Sequence, residues 1–290
     1  MTRVSAVFSP YNHSPDDFKG AVHAAEAAGL GRLWLWEDCF RESAYASAAA
    51  ALAWTDNLQI GIGISPLQLR NVAVAAMEVA TIERMFPGRL LPGFGHGVLD
   101  WMGQAGARVA SPLTLMRECL PALRGLLHGE EVTVQGRYVQ LDRVRLNWPP
   151  DSAPLIYAAG EGPKTLALTG AVGDGTVLTG GYSPAEYASQ IAQIRTGMPE
   201  ENADRDPRVT AFLTASFGHG SESRVRDEMG ERGIDDARAA WGDLQQVAST
   251  VRLLADVGID EVALIHAKGE PDLGSFLQAA VEVERLLDRG

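Results

Sequence analysis

The chain has 290 residues with 37 acidic and 25 basic side chains, a formal net charge of −12, 46% hydrophobic and 21% charged residues. Such totals describe a globular chain long enough for one large domain, and the acidic balance argues against nucleic acid or an anionic membrane surface as partner. No apolar run reaches membrane-spanning length, the start lacks a basic-then-apolar signal, and Cys39 and Cys119 make no disulfide framework, so a cytoplasmic protein is expected.

The predicted elements alternate. Arg3 to Ser9 reads as a strand, and Ser14-Pro15-Asp16-Asp17 opens a helix with a capping serine, proline at the first helical position and acids in the first turn. That helix runs to about Ala28, with Gly29 as its stop. Arg32 to Trp36 is the second strand, ending in Glu37-Asp38-Cys39, and an alanine-rich helix covers Ala44 to Ala53. Leu58 to Ile64 is the third strand, Val72 to Met85 its helix. The fourth strand starts at Arg89 and ends in Gly93-Phe94-Gly95-His96-Gly97, where alternate glycines leave room for a close backbone approach to a ligand. That spacing lacks the third glycine of the dinucleotide fingerprint, since Val98 holds its place.

A helix follows from Ser111-Pro112 to Leu127. Residues 130–150 then read as a hairpin excursion, Val132-Thr133-Val134 against Tyr138 to Leu141. Leu155 to Ala158, Thr176 to Leu178, Arg208 to Phe217 and Glu261 to Ile265 are strands five to eight, with helices from Gly160-Glu161-Gly162-Pro163, from Pro184, over Val247 to Val257 and over Asp272 to Leu287. Residues 221–245 read as a second excursion, polar and helical. Eight strand–helix pairs predict a parallel sheet and a (β/α)8 TIM barrel in one domain, residues 1–290, with both excursions outside the eight-strand core. An open doubly wound sheet is the competing arrangement.

Active sites of such barrels lie at the carboxyl ends of the strands. There this chain places Tyr11 and His13, Glu37-Asp38-Cys39, Ser65, His96, Gly160-Glu161-Gly162, Thr179-Gly180-Gly181, His219 and His266, four of the six histidines among them. The spacing gives no paired-histidine metal motif, so no metal is expected, and there is no nucleophile elbow or P-loop. Trp34 and Trp36 share one strand face, read as packing. Glycine-rich ends after strands four to six, with Gly162-Pro163-Lys164-Thr165 at a helix start, suit a large phosphorylated cofactor.

Several stretches taken together carry a resemblance: Trp36-Glu37-Asp38; Gly61 to Pro66 with Arg70; Gly88-Arg89-Leu90 leading to Gly93 to Gly97; Ala158 to Thr165; Gly173-Asp174-Gly175; and Gly258 to Val262. Over nearly the whole length the chain resembles the luciferase-like flavin or deazaflavin-dependent oxidoreductases, most closely the branch that uses coenzyme F420. The resemblance implies a barrel with an insertion, a homodimer, a small-molecule substrate, and a tricyclic ring over a bulge after strand three with a non-proline cis peptide at Gly63–Ile64. It implies Asp38, Ser65, His96 and Gly97 around the ring, and Gly160, Gly162, Lys164, Thr165, Thr179 and Gly180 along the phosphate-bearing tail, with Arg70 a further cation for the tail.

In the sugar-phosphate dehydrogenase branch a histidine stands where this chain has Cys39, a glutamate where it has Val98, and a basic residue where it has Tyr182. The proton donor is therefore sought among Cys39, His13 and His96, or is none of them. Hydride transfer with coenzyme F420 is the first expectation, an FMN-dependent monooxygenase the second, and a flavin-binding barrel without turnover the third.

Overall fold

The structure, a computed structural model, describes residues 2–200 and 206–288. In chain order it contains β1 (Arg3–Phe8), α1 (Pro15–Ala28), β2 (Arg32–Leu35), α2 (Ala44–Trp54), β3 (Gln59–Ile62), β4 (Ser65–Pro66), α3 (Val72–Met85), β5 (Leu90–Leu91), β6 (Gly93–Gly95), α4 (Leu99–Gln104), α5 (Pro112–Leu127), β7 (Val132–Gln135) and β8 (Gln140–Val144). There follow β9 (Tyr157–Ala159), α6 (Pro163–Val172), β10 (Gly175–Leu178), α7 (Pro184–Arg195), β11 (Val209–Phe217), α8 (Ser221–Glu231), β12 (Ala240–Gly242), α9 (Leu244–Asp256), β13 (Glu261–His266) and α10 (Leu273–Asp288).

The parallel strands close into a ring. β1 pairs with β2 and β13, β2 with β3, β13 with β11, β11 with β10, and β10 with β9. The third and fourth positions are each one strand in two pieces: β3 pairs with β5, β4 with β6, and β6 with β9. The result is the (β/α)8 barrel that the alternation predicts.

Side-chain alternation sorts the strands' residues into two layers. Val7, Trp34, Leu91, Tyr157, Val177, Phe212, Ala263 and Ile265 pack inside the barrel. Their neighbours on the same strands, among them Ala6, Phe8, Leu33, Leu35, Ile60, Leu213 and Leu264, form the larger core between sheet and helices. At the amino-terminal end the Trp34 indole N–H donates to Glu261 Oε1 at 2.8 Å, and Arg32 forms a buried ion pair with the same carboxylate.

The two excursions differ. β7 and β8 form an antiparallel sheet of their own, as the hairpin reading has it. The expectation of helix through 221–245 needs correction. α8 stops at Glu231, Gly233 adopts a positive φ of 65°, and the chain then extends into β12, which pairs in parallel with the end of β11. A capping box restarts the helix: Asp243 N–H donates to Gln246 Oε1, and Gln246 N–H to Asp243 Oδ1, each at 2.9 Å.

Among the described residues, no helix is long and apolar enough to cross a membrane.

Candidate active site at the carboxyl ends of the strands

The loop after β2 turns its residues alternately inward and outward. Glu37 points outward and is buried, where its carboxylate accepts from Ser65 Oγ (2.7 Å), Arg70 Nη1 and Nη2 (2.6 Å each) and the Ala44 amide (3.3 Å). Arg70 also pairs through Nε with Glu78 at 2.8 Å, and its guanidinium lies 4.6 Å from the centre of the Tyr45 ring. This network ties the end of strand two to the loop after strand three. It also corrects the expectation for Arg70: all three guanidinium nitrogens are engaged within the protein, so this cation is not available to an anionic tail.

Between β3 and β4 the Gly63–Ile64 peptide is cis, at the position the resemblance implies, and a second non-proline cis peptide joins Cys39 and Phe40. The glycines around the bulge make room for specific side chains. A Cβ on Gly61 would stand 2.4 Å from the Trp34 ring, and one on Gly63 2.8 Å from the Phe212 ring. A Cβ on Gly93 would stand 2.2 Å from the Ile62 carbonyl oxygen and 3.3 Å from Ile64, and one on Gly95 3.1 Å from Ile64. The alternate glycines of strand four therefore seat the strand-three bulge, with the Ile64 side chain over them. They are not a bare floor for a ligand.

Inside the mouth, Trp36 packs against Phe212 (ring centroids 5.5 Å) and meets Tyr11 edge-on at 6.2 Å. The Trp36 indole N–H is buried and has no partner among the described residues. Tyr11 donates its hydroxyl hydrogen to Asp38 Oδ2 at 2.8 Å, while Arg41 stacks on the Tyr11 ring at 3.8 Å. Burial, then the carboxylate, pushes the Tyr11 phenol up to about 12, so it stays protonated at neutral pH. Burial also raises Asp38 from its ordinary value, against the hydrogen bond from Tyr11. Cys39 is half-buried, and burial first, then Asp38 and Glu37, pushes its thiol up. A protonated thiol is the form a proton donor needs.

The histidines divide. His13 stacks on Phe8 at 5.6 Å and lies 4.8 Å from His266, and His266 in turn meets Phe276 of α10 edge-on. Phe8 and Phe276 belong to the layer between sheet and helices. His13 and His266 thus sit outside the lumen, which removes His13 from the proton-donor candidates on geometric grounds. Burial, with His13 nearby, lowers His266 to about 4, so it is neutral at physiological pH. His219 is exposed. His96 stays at the rim, half-buried, with Nδ1 donating to the Gly97 carbonyl at 2.8 Å.

After β9 and β10 the glycine-rich ends come together. Gly160 leaves space that the Thr165 methyl fills, since a Cβ there would lie 2.2 Å from it, so Thr165 is committed to packing the loop on α6. Thr179 donates to Glu161 Oε1 at 3.1 Å, bridging the two strand ends, and Gly180 lies against the Phe212 carbonyl. Gly162, the residue before α6, faces open space, and Lys164 is exposed with no ion pair among the described residues. A helix start without a side-chain cap, beside a free ammonium, offers amides and charge to an anion.

A separate cavity of about 380 Å³ lies at the other end of the barrel, lined by Arg32, Gln59, Glu83 and Leu155 among others, and contains none of these residues. Among the described residues no cluster of three or more histidine, cysteine, aspartate or glutamate side chains is arranged for a metal ion.

Residues 2–233 match the family model described as luciferase-like monooxygenase. The chain belongs to this luciferase-like family. Among curated relatives, a 5,10-methylenetetrahydromethanopterin reductase of Methanolobus tindarius is 28% identical over 67% of this chain and 59% of its own length. The chain thus spans less than two thirds of that reductase. An F420-dependent glucose-6-phosphate dehydrogenase of Kineococcus radiotolerans is 25% identical over 91% of this chain and 90% of its own. Among solved structures, an F420-dependent secondary alcohol dehydrogenase in complex with an F420-acetone adduct superposes with a TM-score of 0.84 at 20% identity, over 97% of this chain and 98% of the other, a likeness of fold.

Within this luciferase-like barrel, Trp36 is the residue that the packing reading undervalued: it stands on the face it shares with Trp34, in the Trp36-Glu37-Asp38 motif, and its indole N–H is left without a partner among the described residues at the mouth.

Proposed function

We propose that this luciferase-like chain is an oxidoreductase that transfers hydride between coenzyme F420 and a small organic substrate. One observation carries the reading. A single rim presents an apolar platform, Ile64 on its bulge beside Trp36 and Phe212, and, on the next strands round the ring, the uncapped start of α6 with Lys164. That pairing fits a flat ring with an anionic tail. The unpartnered Trp36 N–H and the open space at Gly162 are consistent with a ligand on both parts. F420-dependent relatives support the choice of cofactor.

When bound, coenzyme F420 supplies a ring carbon that carries hydride. The protein's part is to position two partners. Asp38, oriented by Tyr11, borders the platform, with His96 and Gly97 on its far side, while Ser65, expected at the ring, turns its buried hydroxyl outward to Glu37 and holds the bulge from behind. Gly160, Gly162, Lys164, Thr165, Thr179 and Gly180 form the tail side, Lys164 meeting the anion while Thr165 shapes the loop. Parallel titrations with coenzyme F420 and FMN test the reading, since tighter FMN binding would turn it to the monooxygenase alternative. Lys164→Ala should weaken F420 binding about fivefold at low ionic strength and less in high salt, because an exposed charge is screened. Equal affinity of both proteins would take Lys164 out of the site.

Cys39 Sγ is proposed to hold the proton delivered to substrate. Cys39→Ala should lose about a hundredfold or more in turnover with cofactor affinity unchanged, and Cys39→Ser should retain more. Wild-type turnover in both variants would make Cys39 packing. The homodimer is proposed to form on α3, whose Val74, Met77 and Met85 share one face and are 46%, 57% and 54% exposed. A monomer's elution volume in gel filtration would refute it.

A further inference from the structure

We propose that Arg232, carried by the second excursion, is a subsite for an anionic group of the substrate, a carboxylate or phosphate that presents two oxygens. This deepens the proposed function and rests on it for the word substrate. On β11, Val209, Ala211, Leu213 and Ala215 face the helices while Phe212 packs inside the barrel. Alternation then turns Thr214 into the lumen, one inward position nearer the mouth than Phe212. Its register partner on β13 is Ile265, another inward residue. Thr214 is buried, yet Arg232 reaches it from the end of α8, with Nη1 donating to Thr214 Oγ1 at 3.3 Å. The guanidinium therefore bends over the end of strand seven to the mouth of the lumen, near the Trp36–Phe212 wall.

The cation is only partly used. Its one ion pair among the described residues is loose: Nη1 lies 3.8 Å from Glu228, whose other carboxylate oxygen accepts from the Lys268 amide at 2.7 Å. Nε and Nη2 have no partner among the described residues. Those two nitrogens present parallel N–H bonds, the edge of an arginine that matches the two oxygens of a carboxylate or phosphate. The neighbouring Arg238 makes the contrast: it donates to the Gly181 carbonyl at 2.9 Å and pairs with Glu186 at 3.3 Å. Arg238 fastens the excursion to the end of β10, and Arg232 keeps a free edge over the lumen. Thr214, having accepted from Arg232, still has its own hydroxyl hydrogen to give to the same anion.

The same anion chemistry could come from the cofactor's tail, so the test separates the two sources. Malonate and inorganic phosphate are titrated calorimetrically into the full chain in a Lys164→Ala background, which silences the cation beside α6. Arg232→Gln should then weaken anion binding about tenfold, Arg232→Lys should restore part of it, and Thr214→Val should weaken it less than Arg232→Gln does. Affinity for coenzyme F420, measured with Lys164 intact, should move less than twofold in Arg232→Gln. Anion affinity unchanged by Arg232→Gln overturns the subsite. A tenfold loss of F420 affinity in the same variant assigns the cation to the tail and overturns it equally. If the wild type binds the anions through Arg232 but does not bind F420, the subsite stands and the cofactor assignment fails.

Discussion

Glu37→Ala is expected to lower the free energy of unfolding by about 3–5 kcal/mol, read from denaturant midpoints at constant slope. The lost carboxylate is the meeting point of the Ser65 hydroxyl, two nitrogens of Arg70 and the Ala44 amide. Their side chains are nearly out of water, 8% exposed for Glu37 and 16% for Arg70, so the guanidinium left behind is desolvated, with Glu78 the one carboxylate still paired to it among the described residues. The surviving Glu78 contact places the effect toward the lower end of the range. Glu37→Gln keeps the shape and one acceptor oxygen and should cost less. Because the carboxylate also anchors Ser65, affinity for coenzyme F420 should fall with stability. A loss under about 1 kcal/mol would mean that the network adds geometry but little energy.

Gly93→Ala should cost about 3 kcal/mol, the upper end of the range for overpacking, and should abolish cofactor binding. The new Cβ would lie 2.2 Å from the Ile62 carbonyl oxygen, a backbone atom of the neighbouring strand that cannot rotate away, and 3.3 Å from the Ile64 side chain. Relief requires β3 and β6 to separate, which moves the bulge. Gly162→Ala is the control for stability: nothing lies within 4 Å of its Cβ position, so its melting temperature should match the wild type. Equal melting temperatures for Gly93→Ala and wild type would show that the bulge yields easily.

Much of the fold was legible because each strand is a short apolar run closed by glycine, proline or a capping residue, and because helix starts such as Ser14-Pro15 are local signals. What failed was non-local. Residues 221–245 read as helix because they are polar, and only pairing with the overhanging end of β11 makes a strand of Ala240–Gly242. The alternate glycines of strand four marked correctly that no Cβ fits, but a sequence cannot say what occupies the space, and Ile64 of the adjacent strand does. His13 and His266 stand at strand ends as read, yet alternation puts His266 on the face opposite Ile265, and the His13 ring follows it. Glu37 and Arg70 both lay in motifs, but that each uses up the other is a fact of their juxtaposition. The expected positions of Asp38, Cys39 and Lys164 place them on one rim, and their roles are the proposals tested above.

The pairing of Arg32 with Glu261 has a consequence for how the chain matures on the ribosome. Arg32 is on the second strand to be synthesised and Glu261 on the last, 229 positions later. Until the eighth strand emerges, a nascent barrel holds a guanidinium at its base with no carboxylate, and Trp34 has an indole N–H with no acceptor. Early strands thus lack the contact that seals the seam they share with the carboxyl terminus. A translation product that stops before residue 261 lacks the carboxylate that Arg32 meets in the finished barrel, and its sheet is left open at the seam between the first and seventh strands.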